Sequence, residues 1–239
     1  THGNRRKRLC PYCGKDLSGL LTGRDFNRDH VLAKQFFPLP IPNDLANIIV
    51  RSCMACNSSF KKDEEYVLAL FSAHLGEQGT GRQISEQVRK GLPKNPGLKH
   101  AVGRGIGSIE LHSPAGLYLG THKTFDVDEK RVHAVVGKWV RGFHFISYDQ
   151  VLPSTTPIEV LTFDPPHSLN DHWDEATHGA SWPNKFEYWC SRNPADPAQT
   201  RWSFILWGAI GFFARANHTI GRHVPDVIKG LHGEFYTPV

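Results

Sequence analysis

Cys10-Pro-Tyr-Cys13, Phe26-Asn27-Arg28-Asp29-His30-Val31-Leu32 and Cys53-Met54-Ala55-Cys56-Asn57 are the segments that decide how this chain is read. Each Cys-x-x-Cys pair presents two thiolates to one ion, and two such pairs suit tetrahedral zinc. A simple zinc ribbon separates its pairs by about 15–20 residues. Here 39 residues lie between Cys13 and Cys53, so something further is folded inside the loop. That insert carries Asp29-His30, a proline-rich loop, and the run from Asn43 through Asn47 to Val50. Asn57, Lys61 and Lys62 follow the second pair directly.

An Asp-His pair, an internal Asn, and Cys-x-x-Cys-Asn ahead of a lysine-bearing helix resemble the layout of HNH endonucleases of the ββα-metal type. The resemblance covers residues 10 to about 65, roughly a quarter of the chain. It implies that His30 is the general base, a role suited to an imidazole with an ordinary pKa of about 6.5. It implies that Asp29 and Asn57 hold a catalytic divalent cation, Mg²⁺ or Mn²⁺, both of which favour oxygen ligands. Cys10, Cys13, Cys53 and Cys56 would then hold a structural Zn²⁺. Asn47 matches the middle Asn, whose carbonyl and amide can brace the loop carrying the base. It stands six residues before Cys53, one more than is common in the family. Neighbouring residues on a strand point to opposite faces, so Asp29 and His30 serve one site only where a strand ends or twists.

Charge agrees with a polyanionic partner. The 239 residues carry a net charge of +5, and residues 1–62 alone hold eleven basic side chains against four acidic ones. Lys and Arg supply affinity for phosphate that does not depend on base sequence. Arg28, Lys34, Arg51, Lys61 and Lys62 are the nucleic-acid-binding candidates, with Arg5, Arg6, Lys7 and Arg8 in a basic arm at residues 1–9. DNA is the partner the family implies, with RNA left open. No base-reading pattern is visible. No run reaches the ~18–20 apolar residues of a membrane span. Close cysteine pairs read as metal ligands belong in a reducing compartment, so a cytoplasmic location is expected.

Outward from this region the pattern changes. A helix is expected from about Cys56 to Leu75, with Phe60, Val67, Leu70 and Phe71 on one stripe. Residues 76–105 read as a linker with one short helix at 82–91. Residues 108–112 and 117–119 read as strands. Val132, Val135, Val136, Trp139, Val140 and Phe143 mark one buried face of a helix, with Asp126 or Asp128 as its N-cap. Residues 158–163, 185–191 and 202–214 read as strands, the last bent at Gly208 and Gly211. Cys190 reads as a buried free thiol. His167, His172 and His178 stand among acidic residues in what reads as a polar loop.

The expected fold class is therefore α+β. A zinc-bound HNH module at residues 10–75 precedes a separate α+β domain at 106–239, whose role the sequence does not disclose. The expected function is metal-dependent endonuclease activity on phosphodiester bonds. The alternative is a zinc-stabilised nucleic-acid-binding or interaction protein without catalysis. A homodimer or a protein partner would engage residues 106–239.

Overall fold

In a computed structural model, residues 8–74, 79–163 and 178–217 are described. The expected α+β class is found: helices and antiparallel sheets alternate along the chain. Strand β1 (Phe26–His30) pairs antiparallel with β2 (Ile49–Cys53), from Phe26 opposite Cys53 to His30 opposite Ile49. A short helix, α1 (Asn43–Ala46), lies in the loop between them. Helix α2 (Met54–Ser59) leaves the end of β2 directly.

The helix expected over 56–75 is two helices. α2 stops at Phe60, and α3 (Lys61–His74) begins again with Asp63 and Glu64 donating their N–H groups to the Phe60 carbonyl. The Phe60 ring packs edge-on against Tyr12, with centroids 5.4 Å apart, and this contact holds the break. The stretch expected as linker is also mostly helical. After α4 (Gly79–Gly91) comes α5 (Pro96–Arg104), capped by the Asn95 side chain, which accepts from the Leu98 N–H at 3.1 Å. Asn at the cap followed by Pro in the first turn starts a helix, although the same residues also signal a turn.

Strands β3 (Ile106–His112) and β4 (Tyr118–Phe125) form a two-stranded ribbon of their own. Ile106, Ile109, Leu117, Tyr118 and Leu119 are exposed along it. Helix α6 (Glu129–Tyr148) follows, with Asp128 at its N-cap as expected. The Asp128 side chain makes no capping bond; its own N–H donates to the Tyr66 hydroxyl at 3.0 Å.

A five-stranded antiparallel sheet completes the fold in the order β5 (Ile158–Phe163), β9 (Ile210–Ala216), β8 (Thr200–Leu206), β7 (Phe186–Arg192), β6 (His178–Trp182). The strand expected over 202–214 is thus a hairpin, β8 to β9. Trp207 and Gly208 both have positive φ in its turn. Gly adopts that conformation freely, whereas Trp is held there by burial and by its indole N–H donating to the Phe36 carbonyl. Cys190 is buried on β7, with its Sγ 3.5 Å from the Tyr148 hydroxyl. Of the histidine group, His167 and His172 lie outside the described residues, and His178 opens β6.

Every residue expected on the buried face of α6 is buried. Trp139 meets Phe186, Phe204 and Phe212 edge-on at 5.7–5.9 Å, and Phe143 stacks on Phe186. On another side Trp139 touches Phe36 of the β1–β2 loop. The helix therefore lies between the large sheet and the N-terminal hairpin. The apolar core runs unbroken from Cys10 to Ala216, so the two units expected to be separate share one interior. Among the described residues no helix is long and apolar enough to cross a membrane.

Gly142 marks the closest approach of α6 to the hairpin. A Cβ there would lie 2.6 Å from Val31 Cγ1 and 2.7 Å from Cγ2. Gly142→Ala is expected to lower stability by ~1–3 kcal/mol through overpacking, read from denaturant midpoints. His144, also on α6, is buried; its Nδ1 contacts the Gln150 carbonyl at 2.9 Å and its Nε2 has no partner. Burial lowers its pKa, as do the charges of Arg192 and Arg141. Such a group favours folding above its unfolded value and loses that contribution as pH falls below about 6.5. The wild type should therefore lose more stability than His144→Gln between pH 7 and 5, a difference that paired thermal melts would show.

Candidate metal centre and active site

The two cysteine pairs come together. The ligand atoms of Cys10, Cys13, Cys53 and Cys56 all lie within 4.8 Å of one another. The first pair sits in a tight turn, where Gly14 N–H donates to the Cys10 carbonyl and Gly14 takes a φ of 74°. The second pair spans the junction of β2 and α2, and the Cys53 N–H points at Cys10 Sγ, 3.5 Å away. Burial pushes the Cys10 thiol up to about 11 and raises Cys56 further still. For Cys53 burial acts in the same upward sense, but hydrogen bonds from Cys56 and the other thiols bring it below its ordinary value. Four crowded sulfurs of this kind are ionised together by a soft divalent cation. The four cysteines are placed to hold a metal ion, and an all-sulfur set is compatible with structural zinc.

This centre ties residues 10–13 to the end of β2 and so fixes the hairpin that carries Asp29 and His30. Cross-strand partners share a face of a sheet. His30 lies opposite Ile49, and Arg28 lies opposite Arg51, so His30 and both arginines occupy one face. Arg28, Arg51 and Lys34 are exposed there, while the Arg51 guanidinium also lies 5.8 Å from the Phe26 ring centroid. Two arginines directly opposite repel one another, an arrangement relieved by a polyanion. Beside β2 a recess of about 600 Å³ extends this face, lined by Arg8, Arg51, Ile49, Phe145, Ile146 and Asp149.

His30 Nε2 is shielded from solvent and has no hydrogen-bond partner among the described residues. Burial lowers its pKa, and Lys34, Lys138 and Arg28 act in the same direction against Asp29. The ring is therefore neutral at pH 7, the form able to accept a proton.

Asp29 is turned the other way, into the core, and is 7% exposed. Both of its oxygens are engaged. Oδ2 accepts from the Tyr12 hydroxyl at 2.7 Å, and Oδ1 accepts from Lys138 Nζ at 3.2 Å. Burial, together with the Asp29 charge, raises the Tyr12 pKa well above its usual value, so the phenol stays a donor. Lys138 also donates to Glu64 Oε1 at 2.7 Å and to the His30 carbonyl at 3.1 Å. Burial raises the Glu64 pKa, although Lys138 opposes this. One cation here faces two buried carboxylates.

The remaining expected positions divide. Asn57 is half-buried on α2, and its side chain bonds nothing among the described residues. Asn47 is exposed at the C-terminus of α1, where its backbone N–H donates to the Asp44 carbonyl at 3.2 Å. The loop is joined to the end of β1 by backbone, with Val31 N–H donating to the Ile48 carbonyl at 3.1 Å. Asp29 and His30 are not brought to one face. The oxygen set expected for Mg²⁺ or Mn²⁺ does not fit at Asp29, where a phenol and an ammonium already occupy the carboxylate. Lys61 and Lys62 are exposed at the start of α3.

Tyr12, Glu64 and Lys138 were not anticipated. One signal existed for Lys138: it stands among Val135, Val136, Trp139 and Val140 in the apolar middle of α6, where a lysine requires a buried partner. Comparison with family models, curated proteins and solved structures found no match to this chain.

Replacing Cys53 by Ala removes one of the four sulfurs. We expect metal content to fall and the melting temperature to drop by more than 5 °C, since structural metal contributes folding free energy directly. Elemental analysis beside calorimetry checks both.

Proposed function

We propose that this chain is an HNH-type endonuclease that hydrolyses phosphodiester bonds, with DNA as the preferred substrate. The observation that carries this reading is a half-buried His30, whose Nε2 has no hydrogen-bond partner among the described residues, on the same hairpin face as the exposed Arg28 and Arg51. A phosphodiester backbone laid on this face would be held by the arginines and Lys34, an attraction that weakens with salt. An unprotonated ring nitrogen of His30 takes a proton from water. The water oxygen bonds to phosphorus, the phosphorus–O3′ bond breaks, and the departing oxygen takes a proton from solvent. The products are a 5′-phosphate and a 3′-hydroxyl. The four-cysteine centre serves this chemistry by holding the hairpin rigid, not by touching the substrate. The resemblance implies a divalent cation on Asp29 and Asn57, but Tyr12 and Lys138 already engage both oxygens of Asp29, so no step is routed through a cation.

A second reading rests on that same engagement. If Asp29 serves only the core, the basic face is a zinc-stabilised nucleic-acid-binding surface without turnover.

Nicking of supercoiled plasmid separates the two, run with Mg²⁺, Mn²⁺ or EDTA. His30→Ala is expected to keep its fold and its DNA affinity while cleavage falls ~10²–10⁴-fold, the usual effect of losing a general base. Undiminished cleavage by His30→Ala removes the base assignment. Binding without nicking by the wild type under any of these conditions favours the second reading.

A further inference from the structure

We infer that Lys138 is a positioning residue for His30, which makes helix α6 part of the catalytic unit. This rests on the nuclease reading for its consequence, but the geometry stands apart from it. The ammonium has three hydrogens, and all three are used: on Asp29 Oδ1, on Glu64 Oε1 and on the main-chain carbonyl of His30. The residue is 2% exposed, so water does not compete for these bonds. Its Nζ also lies 5.8 Å from the Tyr12 ring centroid and 5.7 Å from that of Phe60. The cation is thus enclosed by oxygens and aromatic faces, with little freedom to move.

What this grip controls is the end of β1. His30 Nε2 has no hydrogen-bond partner among the described residues, so the direction of the ring follows from its backbone and its packing. Lys138 holds that backbone at both sides of the residue's Cα. It anchors the preceding side chain, Asp29, on the inner face, and it fixes the carbonyl that leads to Val31. Val31 is held in turn by its N–H bond to Ile48 and by the approach of Gly142 one turn along α6 from Lys138. With Asp29 drawn inward, the alternation of the strand sends His30 outward toward Arg28 and Arg51. Lys138 takes the place at Asp29 that the resemblance gives to a divalent cation.

A lysine that merely balanced buried charge would affect stability alone. A positioning lysine also affects His30. The experiment uses the full chain and compares wild type with Lys138→Met and with Lys138→Met/Glu64→Gln. The double variant removes one buried negative charge along with the positive one, so it supplies a folded protein if the single variant does not. Three quantities are read: metal content, the ¹H–¹³C signals of the His30 ring assigned with His30→Ala, and plasmid nicking. We expect unchanged metal content, displaced and broadened His30 signals, and nicking reduced about 10²-fold, the scale set by small misplacement of a reacting group. Unchanged His30 signals in a folded variant overturn the inference, and if the wild type nicks DNA the nuclease reading survives alone. Displaced signals with no nicking by the wild type leave Lys138 as the positioning residue and overturn the nuclease reading.

Discussion

The ammonium of Lys138 is the point on which the arrangement depends. It bonds to Asp29 and His30, 109 and 108 residues earlier in the chain, and to Glu64, 74 residues earlier. A buried ion cluster of this sort is weak evidence for net stability, because desolvation offsets most of the attraction. Its effect is on specificity. Removing the cation would strand two carboxylates in the core, so only an arrangement that brings α6 to the hairpin is tolerated. Gly142 permits the approach, Trp139 and Phe143 fill the opposite side, and the helix is held in one register between two layers.

The metal centre acts on the other end of the same hairpin. It fixes the start of the chain against the β2–α2 junction, whereas Lys138 fixes the end of β1. Between these two constraints the hairpin has one face turned to the core and one to solvent. The inner face carries Asp29, Val50 and Ser52, all buried; the outer carries Arg28, Arg51 and His30, and is buried only at its Phe26–Cys53 end. The chemistry proposed for the outer face relies on the charge satisfied on the inner one.

Much of this was legible in the sequence, and the reasons differ by residue. The cysteine pairs could be read because their spacing is itself the geometry of a metal site. The buried face of α6 could be read because six apolar residues at helical spacing leave little choice. The β8–β9 hairpin was not legible: Trp207 in a turn with positive φ is disfavoured locally and is held by a distant carbonyl, that of Phe36. α5 was missed because Asn95-Pro96-Gly97 signals both a turn and a helix start, and the Asn95 contact with Glu65 that accompanies the second is not local. Asp29 lies on β1 beside His30 and faces the core. Its partners, Tyr12 and Lys138, lie 17 residues before it and 109 after it, at separations where no local pattern carries information.

The central place of α6 has a consequence for synthesis. As the chain leaves the ribosome, the cysteine pairs and the hairpin emerge well before residue 138. During that interval the four sulfurs can gather, but Asp29 and Glu64 have no buried cation, and the inner face of the hairpin has no helix to lie against. The outer face takes its final form only after α6 is made and docked. A nascent chain carrying all four cysteines and the hairpin therefore still lacks the cation that its buried carboxylates need, and the order of translation itself delays the appearance of the finished hairpin face.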